Sequence, residues 1–167
     1  MHVRAHRPDA AHLELHYHLS GDCHAVVLPS RQAAPAPADG LWQHTCMEAF
    51  IADGQGASYH EFNFSPAGDW AVYAFAAPRQ RSGNPGPDLI PAITTQASAS
   101  ALQVRVATPL PAVVQGQAEP ALGLSAVVAH HDGTRSYWAL AHPCDHPDFH
   151  ARASWLATLP PAPASHD

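Results

Sequence analysis

A chain of 167 residues falls in the size range of a single domain and is long enough to bury a core of its own. Its apolar fraction is 46%, and 17 prolines with 10 glycines interrupt it too often for long helices. The formal charge of −6, from 8 basic and 14 acidic residues, excludes the basic footprint of a nucleic-acid binder and speaks against anionic membrane surfaces.

Residues 11–19 alternate apolar Ala11, Leu13, Leu15, Tyr17 and Leu19 with His12, Glu14, His16 and His18, which predicts a half-buried strand. The Ser20-Gly21-Asp22 turn predicts a hairpin partner over Cys23–Leu28, followed by a Pro-rich loop over 29–40. Strands are expected at 45–52, 58–65 and 70–77, joined by the turns Asp53-Gly54-Gln55-Gly56 and Pro66-Ala67-Gly68-Asp69 into a meander. After a second loop at 78–91, strands resume at 92–98, 102–108, 121–130 and 136–142, the last two joined at His131-Asp132-Gly133-Thr134. About nine short strands with frequent turn signals predict an all-β, antiparallel two-sheet sandwich. One domain over residues 1–159 is expected, with a disordered Pro-rich tail at 160–167.

No apolar run reaches the roughly 20 residues of a membrane span, and the N-terminus lacks an uninterrupted signal-peptide core. Cys23, Cys46 and Cys144 are odd in number and widely separated, so reduced, mostly buried thiols and a cytoplasmic location are expected. On the strand 58–65, Tyr59, Glu61, Asn63 and Ser65 share one side, opposite the core candidates Phe62 and Phe64. That polar row is either a solvated face or a ligand face. Glu48 stands in an apolar strand and needs a partner, for which His44, Arg79 or a ligand are candidates. Trp138 and Trp155 read as packing residues, as does Met47.

His142, Cys144, His146, Asp148 and His150 cluster near the C-terminus, but Pro143 and Pro147 deny them the helical spacing of a metal motif. His16 and His18 form another pair, and no physiological metal site is expected at either place. No nucleophile elbow, phosphate loop or zinc-protease helix is present, and nothing fixes Glu48 and Glu61 at a catalytic separation. A non-catalytic protein is therefore expected.

Three segments, LWQHTCMEAFIAD, YHEFNFSPAGDWAVYAF and WALAHPCDHPDFHARASWLATL, resemble DOMON-like domains, in particular a bacterial group of short leaderless ones, and the related family 9 carbohydrate-binding modules. The resemblance runs over residues 10–160 and implies a sandwich carrying a ligand site on one sheet face. Relatives hold sugars or b-type haem there, so fold is better supported by it than ligand. The sugar reading makes Trp42, His44, Glu48, Tyr59, Glu61, Asn63, Trp70, Tyr73 and His142 the ligand-binding set, with no cofactor. Rings would stack on the sugar while carboxylates and amide hold its hydroxyls. The alternative is haem b, on Met47 with His142. A protein-interaction role, including a homodimer through an exposed sheet edge, is the third reading.

Overall fold

The computed structural model describes residues 1–31, 33–83, 88–117 and 119–163. Its strands are β1 (His2–His6), β2 (His12–Ser20), β3 (Cys46–Ala52), β4 (Tyr59–Phe64), β5 (Trp70–Ala77), β6 (Gln80–Arg81), β7 (Ala92–Ala97), β8 (Ala101–Pro109), β9 (Ala121–Ala129), β10 (Arg135–Ala139) and β11 (Ala157–Thr158). A single short α-helix among the described residues, α1, spans Ala112–Gln115. The strands form two antiparallel sheets: a four-stranded one ordered β1-β2-β8-β7, and a seven-stranded one ordered β10-β9-β3-β4-β5-β6, with β11 alongside β9. The chain is thus the predicted all-β two-sheet sandwich. No helix among the described residues is long and apolar enough to cross a membrane.

The core lies between the sheets, and period-two patterning places it there. In β2, Leu13, Leu15, Tyr17 and Leu19 point inward and are buried while the histidines alternate outward. Leu102, Val104 and Val106 of β8 complete the inner face of the smaller sheet. Opposite them stand Met47, Ala49 and Ile51 of β3, Phe62 and Phe64 of β4, and Leu122 and Leu124 of β9. The Tyr17 hydroxyl crosses between the sheets and donates to the Glu48 carbonyl at 2.8 Å.

The meander β3-β4-β5 and the β9–β10 hairpin form as the sequence predicts. The expected hairpin of 11–19 with 23–28 does not. Cys23–Ala25 is a 3-10 turn, capped by the Asp22 side chain on the His24 N–H, and Val26 makes only an isolated bridge to His130. Both edges of β2 are already taken, by β1 and β8. β1 and β11 lie outside the predicted strands, and β6 falls inside an expected loop. Each is too short for its alternation to stand out. Of the expected tail, residues 160–163 carry no regular structure, and 164–167 lie outside the described residues.

Strands β3 and β4 are buried along their whole length, on both faces. Something must therefore cover the outer face of the larger sheet. The cover is the segment after β10, which folds back so that Trp155 lies on Gly123 of β9. A Cβ at residue 123 would stand 2.4 Å from the indole Cδ1. The indole N–H donates to the Phe149 carbonyl at 2.8 Å, which ties residues 149 and 155 together over the sheet. Phe50, Ala52, Tyr59, Phe75 and Trp155 form this second apolar layer. Trp155 is thus the packing residue expected. Trp138 is not: it is 38% exposed, because β10 lies at the margin of the wider sheet.

The Gly123→Ala variant is expected to lose about 1–3 kcal/mol by overpacking, read from denaturant unfolding. Unchanged stability would mean that the indole is not seated on the sheet as described.

Candidate functional site

Residues directly opposite on neighbouring strands point to the same side. The pairs Glu48↔Asn63, Phe50↔Glu61, Glu61↔Tyr73, Tyr59↔Phe75, Glu48↔Ser125 and Cys46↔Val127 therefore define the outer face of the larger sheet. Folding the 142–155 segment over one end of that face leaves a cleft of about 670 Å³. Glu48 and Glu61 open onto it, and Trp42, Phe50, Phe75, Tyr137 and Phe149 supply apolar walls. Arg79, Arg81, Arg135 and His150 complete the polar lining.

A chain of hydrogen bonds organises the floor. The Asn63 amide donates to Glu61 Oε1 at 2.7 Å, and its own carbonyl accepts from the Cys46 thiol at 3.6 Å. Glu61 Oε2 stands 3.7 Å from His150 Nε2. The Tyr59 hydroxyl accepts the Arg79 backbone N–H at 3.2 Å and so donates its proton to His150 Nδ1 at 2.7 Å. That arrangement leaves the proton of a neutral His150 on Nε2, facing Glu61. Arg79 occupies the turn between β5 and β6 at φ 60°, a left-handed conformation uncommon for a residue with a Cβ. Its guanidinium holds Asp148 of the covering segment at 2.8 Å.

Burial sets the charges. Glu48 is 2% exposed, and desolvation, reinforced by the neighbouring Glu61, pushes its carboxyl up to about 8. The Ser125 hydroxyl donates to Glu48 Oε2 at 3.3 Å and only partly offsets this. Desolvation also raises Glu61, against the Asn63 hydrogen bond. Burial, with Arg79 nearby, brings His150 down to about 4. At neutral pH the floor therefore holds a neutral imidazole and a protonated Glu48.

Of the residues singled out in the sequence, Trp42, Glu48 and Glu61 line the cleft together. Tyr59 and Asn63 stand just behind, as the partners of His150 and Glu61. Tyr73 forms the base of one wall: its hydroxyl donates to Asp39, its ring meets Trp42 edge-on at 6.1 Å, and Arg81 lies on it at 3.8 Å. His44 is exposed and lies outside the lining. Trp70 pairs with Phe64 and so belongs to the inner side of the sheet, because β5 turns alternate residues to opposite faces. His142 reaches only the back of the wall, its ring 6.4 Å from Phe149.

Glu48 takes Ser125 as its partner, in place of the expected His44 or Arg79. Met47 is sealed in the inter-sheet core, 1% exposed, on the opposite side of β3 from Glu48. His142, by contrast, lies beside Phe149 of the covering segment. Among the described residues no group of three or more His, Cys, Asp or Glu side chains is placed to hold a metal. The three thiols are free, with Cys46 buried, Cys23 half-buried and Cys144 exposed.

Phe149, Phe50, Phe75, Tyr137, Arg81 and Arg135 were not legible as site residues, and His150 stood out only as one member of the C-terminal His, Cys and Asp cluster. The signal that existed was the Phe149-His150 pair within the closing segment of the resemblance. The others depend on strand register.

The fold is similar to the crystal structure of a protein from Bacteroides uniformis ATCC 8492 named as a "putative carbohydrate-binding protein". The TM-score is 0.64 at 15% identity, over 92% of this chain and 74% of that one. No family model matches the sequence, and no curated protein matches it.

Between pH 6.5 and 8 the folded state retains a proton on Glu48 that the unfolded chain has released, so stability falls as pH rises. Between pH 4 and 6.5 the unfolded chain protonates His150 while the folded state resists, so that group makes stability rise with pH. In the overlap, above pH 4.5, the two slopes oppose each other. Unfolding free energy is expected to drop by about 2 kcal/mol from pH 6.5 to 8, and Glu48→Gln is expected to abolish that drop. A drop of the same size in the variant would assign it to another group.

Proposed function

We propose that this chain binds a carbohydrate in the cleft on the outer face of its larger sheet, without chemically altering it. The observation that carries the reading is the convergence of buried polar groups, Glu48 and the Glu61–Asn63 pair, on a cleft walled by aromatic rings. Sugars present hydroxyls at their edges and C–H faces above and below, and such a site answers both. Trp42 and Tyr137, 38% and 40% exposed, are the rings free to stack on a sugar face. The DOMON-like segments and the similarity to the Bacteroides uniformis fold point the same way.

Binding is favoured over hydrolysis by the placement of the carboxylates. A glycosidase needs its two carboxyl groups on either side of the scissile bond. Here Glu48 and Glu61 stand diagonally on adjacent strands of one floor, and neither faces the other across the cleft.

Thermal unfolding against a panel of mono- and oligosaccharides tests the proposal. A sugar at 100 times its dissociation constant should stabilise the fold by about 2.7 kcal/mol. Trp42→Ala and Glu61→Gln should each weaken binding by about 1–3 kcal/mol, whereas Trp70→Ala should leave affinity unchanged. A cooperative melt that no sugar shifts would remove the proposal.

A further inference from the structure

The eight basic residues of this chain are all arginines, and three of them, Arg79, Arg81 and Arg135, line this cleft. That concentration occurs in a protein of formal charge −6, where nothing general draws cations together. Internal pairing takes up only part of it. Arg79 gives one Nη to Asp148. Arg81 reaches Asp39 only at 3.5 Å, while its guanidinium lies flat on Tyr73 at 3.8 Å. A guanidinium stacked on a ring keeps its in-plane N–H fork free for a carboxylate or sulfate. Among the described residues Arg135 has no side-chain hydrogen bond or ion pair.

The carboxylates of the floor offset only part of these charges. Glu48 is buried to 2% exposure, where its neutral form is favoured, and Glu61, whose ionised form the Asn63 hydrogen bond supports, can offset one cation of the three. The cations also stand apart. Arg135 is on β10 and Arg81 on β6, the two ends of the strand order, five inter-strand steps from one another. At about 4.8 Å per step their strands are separated by about 24 Å across the sheet, with the aromatic walls between them. A single small anion would meet one end only. An elongated ligand carrying repeated negative groups would meet both.

Resting on the carbohydrate reading above, we infer that the ligand is an acidic oligosaccharide, whose carboxylate or sulfate groups are held by Arg81 and Arg79 at one end of the cleft and by Arg135 at the other. The rings between those groups lie along the aromatic walls. Ionic contacts at the open rim of a cleft confer selectivity and salt sensitivity, and leave the contacts to the sugar rings unchanged.

The test is calorimetric titration of the full chain with uronic-acid trimers and sulfated tetrasaccharides. Each is paired with the same oligomer after carboxyl reduction or desulfation. The acidic member is expected to bind about tenfold or more tightly than its neutral counterpart, and to lose that margin as salt rises from 50 to 500 mM. Arg81→Gln and Arg135→Gln are each expected to reduce the preference severalfold, and Arg105→Gln, on the smaller sheet, to preserve it. All three positions are surface arginines, and matched melting curves confirm that the variants fold. Equal binding of acidic and neutral members would overturn the inference and leave the carbohydrate reading standing. Acetate or sulfate alone binding as tightly as the acidic sugars would overturn it in favour of a simple anion site. Failure of every saccharide, acidic or neutral, would remove the carbohydrate reading itself.

Discussion

The cleft depends on one close approach, the Trp155 indole laid on the bare backbone of Gly123. A sheet has two faces, and the sandwich needs only one of them for its core. Were the segment after β10 to run free, the outer face of the larger sheet would be a solvated surface. Seating Trp155 there, with its N–H on the Phe149 carbonyl, turns the chain back over the sheet and sets His150 against Phe50 and Phe75 and Phe149 against Tyr137. The absence of a side chain at residue 123 is what lets an aromatic ring come so near.

Covering the face changes its chemistry. Glu48, Glu61 and Asn63 would be ordinary surface groups on an open sheet. Beneath the covering segment they lose water, and each must find a protein partner or shed its charge. Asn63 supports Glu61 and takes the Cys46 thiol, Ser125 supports Glu48, and Tyr59 orients His150. The result is a polar floor fixed in place before any ligand arrives, beside aromatic walls and a rim of arginines. Preorganisation of this kind lowers the ordering cost of binding.

The aromatic residues show how sequence signals divide. Trp42 and Trp70 both stand at loop–strand junctions, yet only Trp42 reaches the cleft. Trp70 is opposite Phe64 across β4 and β5, and its face was decided by strand parity. Trp138 lies in an apolar strand and is nevertheless partly exposed, because four strands cannot cover seven. Met47 follows the simpler rule and fills the core.

Alternation along β2, β4, β5 and β8, with Gly and Pro between strands, determined the sandwich, because side chains on a strand alternate faces whatever lies beyond. It also showed that Glu48, Glu61 and Asn63 stand in strands where a polar residue needs a reason. The sequence by itself did not determine which polar row would be covered, since that depends on a segment some 90 residues further along the chain folding back over it. Nor did it reveal β1, the true neighbour of β2, or bring Arg79, Arg81, Arg135 and His150 together. Arg135 and His150 are distant in sequence from Arg79 and Arg81, and none of the four carries a local period. Only hydrogen-bonded register between strands, and the packing of one indole on one glycine, placed them around a common cleft.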